Sequence, residues 1–267
     1  MIDIHPPQHG AMTRRDFFTH LGIVVLGILI AIGLEQAVEA VHHRAQRNDL
    51  IRQMRTESED NLRIFQWDQR LEIIQIAWYR SCLSALIHAT PHQNSIDVTL
   101  PLRQPSPPPV TPEHAAWAIA TTNGTVALLS DNLAEVYQRL DLEAEVANHA
   151  QTNLNDSAVE MAAVSARLGL DLDPGATLHL SPADRNVVLQ ALSRVEADWS
   201  QLLLRDAFWQ GAADAVAHDV SSRDAIVPYL RQAAISTQQA EIQAGIPVSA
   251  SERAAFHPST LSQVHIQ

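Results

Sequence analysis

The 267-residue chain contains no lysine: its eighteen basic residues are all arginine. Without a lysine amine there is no Schiff-base site, no Walker-type phosphate lysine and no Ser-x-x-Lys nucleophile. Cysteine is almost as scarce, since Cys82 stands alone. One thiol makes neither an internal disulfide nor a cysteine zinc cluster, and the neighbours Trp78, Tyr79, Leu83 and Leu86 mark it as buried and inert. The nine glycines never group into a phosphate-binding loop. Gly-x-Ser-x-Gly, His-Glu-x-x-His and the haem-type Cys-x-x-Cys-His are missing too. Positive charge is short overall. The formal net charge is -12, with fifteen Asp and Glu against five Arg between Thr121 and Val220. A surface of that kind repels phosphate backbones and excludes nucleic acid as a partner. The all-arginine, alanine-rich make-up reads as the codon bias of a GC-rich bacterial genome.

What is present begins with Phe17 to Leu34, eighteen residues without a formal charge. At helical rise they span about 27 Å, enough for a bilayer core, and Ala37 and Val38 extend the run. From Leu21 to Leu34 there is no polar stripe of the kind a globular helix shows. The expectation is a transmembrane helix over 17–38, following a cytoplasmic segment over 1–16. Arg14 and Arg15 precede the span and Glu35 and Glu39 follow it, which favours a translocated C-terminal domain in the periplasm of a bacterial inner-membrane protein. Arg44, Arg47, Arg52 and Arg55 on the far side weigh the other way; the nearer charges are given more weight. Arg14-Arg15-Asp16-Phe17-Phe18 also fits a twin-arginine export signal, with Val38-Glu39-Ala40 as its cleavage site. The helical pattern runs straight past that point, so an uncleaved anchor is expected. Gly27 and Ala31 form a small-xxx-small face suited to close helix packing in lipid.

The remainder reads as helix throughout. A polar stalk is expected over 39–61. The apolar residues Ile64, Phe65, Trp67, Leu71, Ile73, Ile74, Ile76, Trp78, Leu83, Leu86 and Ile87 predict the central core helix of a bundle domain over 62–245. Pro91 to Pro112 holds seven prolines and predicts a connecting loop over 91–112, with an extended piece at Ile96 to Leu100. Thr111, Pro112 and Glu113 mark the start of a short helix ending at Asn123-Gly124. A longer helix follows, capped by Ser130 or Asp131 and ended by Gly169. Its heptad column is Leu133, Leu140, Ala147, Leu154, Met161 and Leu168. The companion column is Tyr137, Ala144, Gln151, Ala158 and Ser165, and the pair predicts close antiparallel packing on another helix. Beyond a loop at Leu170 to Leu180, Ser181-Pro182-Ala183-Asp184 opens a helix. Its 4-3 seam runs through Val188, Leu192, Val195, Trp199, Leu202, Asp206, Trp209, Ala213, Val216 and Val220. A last helix from Ser222 to Ala244, bent at Pro228, precedes a flexible tail over 246–267. The fold class expected is all-α: an N-terminal transmembrane helix continuing into an antiparallel bundle of long helices.

Arg14-Arg15-Asp16-Phe17-Phe18, then Gly22 and Gly27-Ile28-Leu29-Ile30-Ala31 on a run-on helix, resembles a broad group of uncharacterised bacterial single-pass membrane proteins with a helical remainder. The resemblance covers about the first sixty residues and implies topology, with no activity to carry over.

Candidate chemistry is sparse. Glu39-x-x-His42 lies on one helix face as in di-iron bundles, but no second copy exists, and Glu145 and His149 are spaced one residue too far. His88, His92 and His114 bracket the proline-rich loop, where solvated histidines are commoner than a zinc site. His20 lies near enough to the interface to be wetted. Asp206 interrupts an apolar seam, and a buried carboxylate is either a general base with a raised pKa or a polar residue fixing helix register; the second reading is preferred. No catalytic residue, cofactor or metal is expected. The sequence thus suggests a non-catalytic, membrane-tethered helical scaffold, accessory or partner-binding protein, engaging the lipid bilayer and a protein partner or itself through helices. A ligand-sensing periplasmic bundle relaying through a partner comes next, and an unrecognised enzyme last.

Overall fold

The computed structural model describes residues 14–91, 95–102 and 109–245. Residues 1–13 of the segment expected over 1–16, together with His92, Pro107, Pro108 and the tail over 246–267, lie outside the described residues. Among those described are five α-helices: α1 (Arg14–His88), α2 (Ala115–Asn123), α3 (Asp131–Leu168), α4 (Pro182–Ala217) and α5 (Arg223–Gln243). Two short strands, β1 (Ile96–Thr99) and β2 (Thr177–Leu180), complete the set. The chain divides into two compact units, Met1–Asp49 and Leu50–Gln267.

In the first unit, α1 from Phe17 onwards has its large apolar side chains exposed on every side, from Phe17 and Phe18 through Leu34 to Val41. Its most apolar eighteen-residue window has a mean hydropathy of 2.4, with none of it buried. By length and composition this helix is long and apolar enough to cross a membrane. Thr19 turns its hydroxyl back on the Arg15 carbonyl at 2.9 Å, which satisfies a polar group within the helix.

In the second unit, α1 enters the core at Leu50. Leu50, Met54, Ser58 and Asn61 are buried, so the stalk expected over 39–61 ends at Asp49, and the bundle begins a dozen residues before Leu62. Charge and ring pairs set the helix directions. Along α1, Arg55, Phe65 and Arg80 meet Asp219, Trp209 and Glu196 in turn, so α4 runs antiparallel to α1. Arg194 of α4 reaches Glu160 of α3 at 2.9 Å and Gly211 lies against Leu230 of α5, which makes both neighbours antiparallel to α4. Gln69 of α1 donates to Thr237 of α5 at 2.6 Å. The long antiparallel bundle expected from the seams is the architecture observed.

Apolar burial gathers in two larger clusters. One joins Met54, Phe65, Tyr137, Ala144, Trp209 and Leu230; the other joins Trp78, Cys82, Leu86, Leu154, Val188 and Leu202. The α4 seam is buried as read, with Trp199 and Val220 at its edges. The first α3 column is buried in its middle, but the companion column drifts from Tyr137 and Ala144 to Ala150 and Ser157, leaving Ala158 exposed. A straight helix of 3.6 residues per turn slips against a seven-residue repeat in this way.

Two local features differ from expectation. The segment Leu170 to Leu180 contains β2, which pairs antiparallel with β1 in the register Ile96↔Leu180 and Val98↔Leu178. All four of those side chains are buried, and four residues are too few for their alternation to stand out in the sequence. Helix α2 starts at Ala115 with no cap from its own side chains. Asn61 of α1 takes both the N–H and the C=O of Glu113, which holds that residue out of the helix. Glu57 of α1 then accepts the Ala116 N–H at 2.9 Å and supplies the missing cap.

Candidate functional site

The seam by which α1 joins the bundle is built on 4-3 spacing: Met54, Ser58, Asn61, Phe65, Asp68, Glu72, Gln75, Cys82 and Leu86, every one buried. Five of the nine are polar. The apolar residues that marked α1 as the central core helix divide unevenly around it. Ile64, Trp67 and Ile74 are 45%, 65% and 46% exposed, and Ile87 is exposed as well. Helical geometry explains the reversal, because positions 64, 67, 71 and 74 share a face about a quarter-turn from the buried seam. The bundle takes in a mixed polar and apolar seam of this stretch and leaves an apolar stripe outside.

Two of the buried polar groups on the seam, Asn61 and Asp68, bind backbone of the proline-rich loop and of the residue that follows it. Asn61 holds Glu113, and Asp68 accepts the Val110 N–H at 2.7 Å. Together with Trp78, whose indole donates to the Pro101 carbonyl at 2.9 Å, they tie the middle and the far end of the proline-rich loop to α1. Burial raises the Asp68 pKa against that hydrogen bond, and burial likewise raises Glu57. Glu143 of α3 is raised by burial and relieved by Arg139, its salt-bridge partner, and by Arg205 of α4.

Asp206 is where α4 meets that seam. It is 2% exposed, and the carboxyl facing it is Glu72 of α1, 1% exposed. Neither Glu72 oxygen has a hydrogen-bond partner, nor does Oδ2 of Asp206. Two carboxylates offer acceptors and no donor, so a hydrogen bond between these two forms only when one of them carries a proton. Burial is the first cause that raises Glu72 well above its usual range, with Asp206 and Asp68 adding to it. Burial also raises Asp206 to about 7. The pair lies between the two larger apolar clusters: Phe65 and Trp209 close one side, Trp78 and Leu202 the other.

Asp206 is therefore buried at a facing helix, and the group beside it there is a second acid. Glu72 and Asp68 escaped the sequence reading. The legible signal was an acid inside Leu71-Glu72-Ile73-Ile74, on the same 4-3 spacing as Phe65 and Cys82. The other candidates are not brought together. His88 bonds the Ser84 carbonyl at 2.8 Å, whereas His114 bonds Asp141 at 2.9 Å. Glu39 pairs with His43 rather than His42, and Glu145 and His149 are exposed on α3. Arg14, Arg15, His20, Gly27 and Ala31 are all exposed on α1. Cys82 is fully buried and free of disulfides. Among the described residues, no three His, Cys, Asp or Glu side chains gather as metal ligands. Three surface hollows between helices, of about 300 to 430 Å³, are lined by other residues and contain neither Glu72 nor Asp206.

These features define an all-α helical bundle with a buried polar layer and one N-terminal helix long and apolar enough to cross a membrane. No family model, curated protein or solved structure matches the chain.

Proposed function

We propose that the protein is a membrane-tethered, non-catalytic helical module that binds a protein partner, as a scaffold or accessory subunit at a bacterial inner membrane. The observation that carries this reading is the apolar surface that α1 leaves uncovered. From Phe17 to Leu34 that surface goes all the way round the helix, and at Ile64, Trp67 and Ile74 it is a stripe on one face. Apolar area left in water costs roughly 25 cal/mol per Å², so lipid stabilises the first and an apolar helix face on a partner stabilises the second. The arginines before the span and the glutamates after it favour a periplasmic bundle.

The test has two stages. Washing membranes with alkaline carbonate should leave the intact chain in the pellet; its release would end the tether. Photo-crosslinking from position 67 in intact cells should then trap a discrete protein product, which Ile64→Gln or Ile74→Gln in the same chain is expected to weaken. A chain that runs as a lone monomer and gives no product from position 67 would refute partner binding.

A further inference from the structure

We propose that Glu72 and Asp206 form a proton-binding site that latches α1 to α4. With one proton held between the carboxyls the two helices close on each other, and when it leaves, two like charges inside the bundle loosen them.

The geometry fits such a latch. Each carboxyl comes from a different long helix, so a proton between them is a link between elements. Three of the four oxygens are sealed from water without a hydrogen-bond partner, and an uncompensated charge in that setting is expensive. The pair also occupies the level where the two larger apolar clusters leave off, so repulsion there acts between the clusters.

The charged groups around the pair do not offset it. From α1, Asp68 lies one turn before Glu72 and its charge raises both acids. From α4, Arg205 adjoins Asp206, but its charge falls on Glu143 of α3, which Arg139 also holds. From α5, the buried acid is Glu241, one turn beyond Thr237. The outside charge acting on both acids is that of Asp68, and a proton is the cation that halves the charge of the pair.

The direction of the pH effect follows. Asp206 has a folded-state pKa near 7, raised from its ordinary 3.8 by burial, and Glu72 is raised as well. The folded chain holds a proton that the unfolded chain releases. The stabilisation is complete below the unfolded value of about 4 and is lost as pH rises through about 7.

The test uses the full chain in detergent micelles, unfolded by heat and by denaturant from about pH 5 to about pH 8, with hydrogen exchange read over 68–76 and 202–210. Relative to Glu72→Gln, whose amide donates without a proton, the wild-type folding constant should fall by more than about tenfold, the equivalent of one pKa unit. Exchange in those two segments should rise over the same range. Asp206→Asn should flatten the profile in the same way. Parallel profiles for wild type and both variants would overturn the latch. Infrared spectroscopy of the wild type answers even where a variant fails to fold: a protonated-carboxyl band should persist near neutral pH and vanish above it, and its absence at about pH 6 contradicts the proposal. None of these readouts depends on the membrane tether.

Discussion

At Gly211 a β-carbon would lie 2.7 Å from Leu230 Cα and 2.9 Å from both the Leu230 nitrogen and the Tyr229 carbonyl oxygen. Helices α4 and α5 cross there backbone against backbone, and rigid atoms cannot move aside as a flexible side chain does. Gly211→Ala is therefore expected to destabilise the fold by about 1–3 kcal/mol through overpacking, despite the better helix propensity of alanine. Denaturant unfolding measures this directly; a variant as stable as wild type would mean that the helices separate freely. Gly27, by contrast, has nothing within 4 Å of the same added carbon. Two helical glycines thus have different environments. Asp206 teaches a related lesson, since its position showed that a polar group interrupts the seam, while the identity of its partner came from a helix more than a hundred residues away.

At the scale of one element, α1 shows how burial can run against hydropathy. Phe65 is buried and stacks on Trp209 with ring centroids 4.4 Å apart, while Trp67, two residues on, is 65% exposed. Phe65→Ala should cost about 3–5 kcal/mol, the range for emptying an aromatic site in a core. Trp67→Gln should leave stability within about 0.5 kcal/mol and show its effect in partner capture instead. Thermal unfolding of the two variants side by side is the check, and a large loss from Trp67→Gln would turn the exposed stripe into a packing surface. The short helix α2 makes the same point in miniature. Its signals at Thr111, Pro112 and Glu113 are real, but Asn61 claims Glu113 and Glu57 caps Ala116, so tertiary contacts move the start to Ala115. Likewise β1 was readable as an extended piece beside prolines, whereas β2 became a strand by pairing with it.

For the whole molecule, the first helix poses a different energetic problem from the rest. Side chains from Phe17 to Leu34 are exposed, and the bundle proper has its own core from Leu50 onwards. An arginine at the centre of a spanning helix costs about 2.5–3.5 kcal/mol of insertion. Ile28→Arg should accordingly lower the fraction of chain that resists carbonate washing, while leaving the heat unfolding of the bundle unchanged. A fraction equal to wild type would argue against lipid as the surroundings of this segment. Because the chain has no lysine, single-lysine variants on either side of the apolar stretch carry the only side-chain amine, and amine labelling from outside the cell then reads which side is exposed.

The sequence alone determined the number and type of the long helices, their capping at Ser181 and Gly169, the apolar N-terminal stretch and the buried seam of α4. Those properties are local: they follow from period, caps and unbroken hydropathy within a single segment. Only the tertiary structure decided which face of α1 turns inward, where the bundle begins, that β2 forms, and that Glu72 is the group opposite Asp206. Each of those depends on what a distant segment presents, and α1 has apolar residues on one face and polar residues on the face beside it. Hydropathy could not choose between them, because the facing helix offered an acid to share a proton and the loop offered backbone groups to bind.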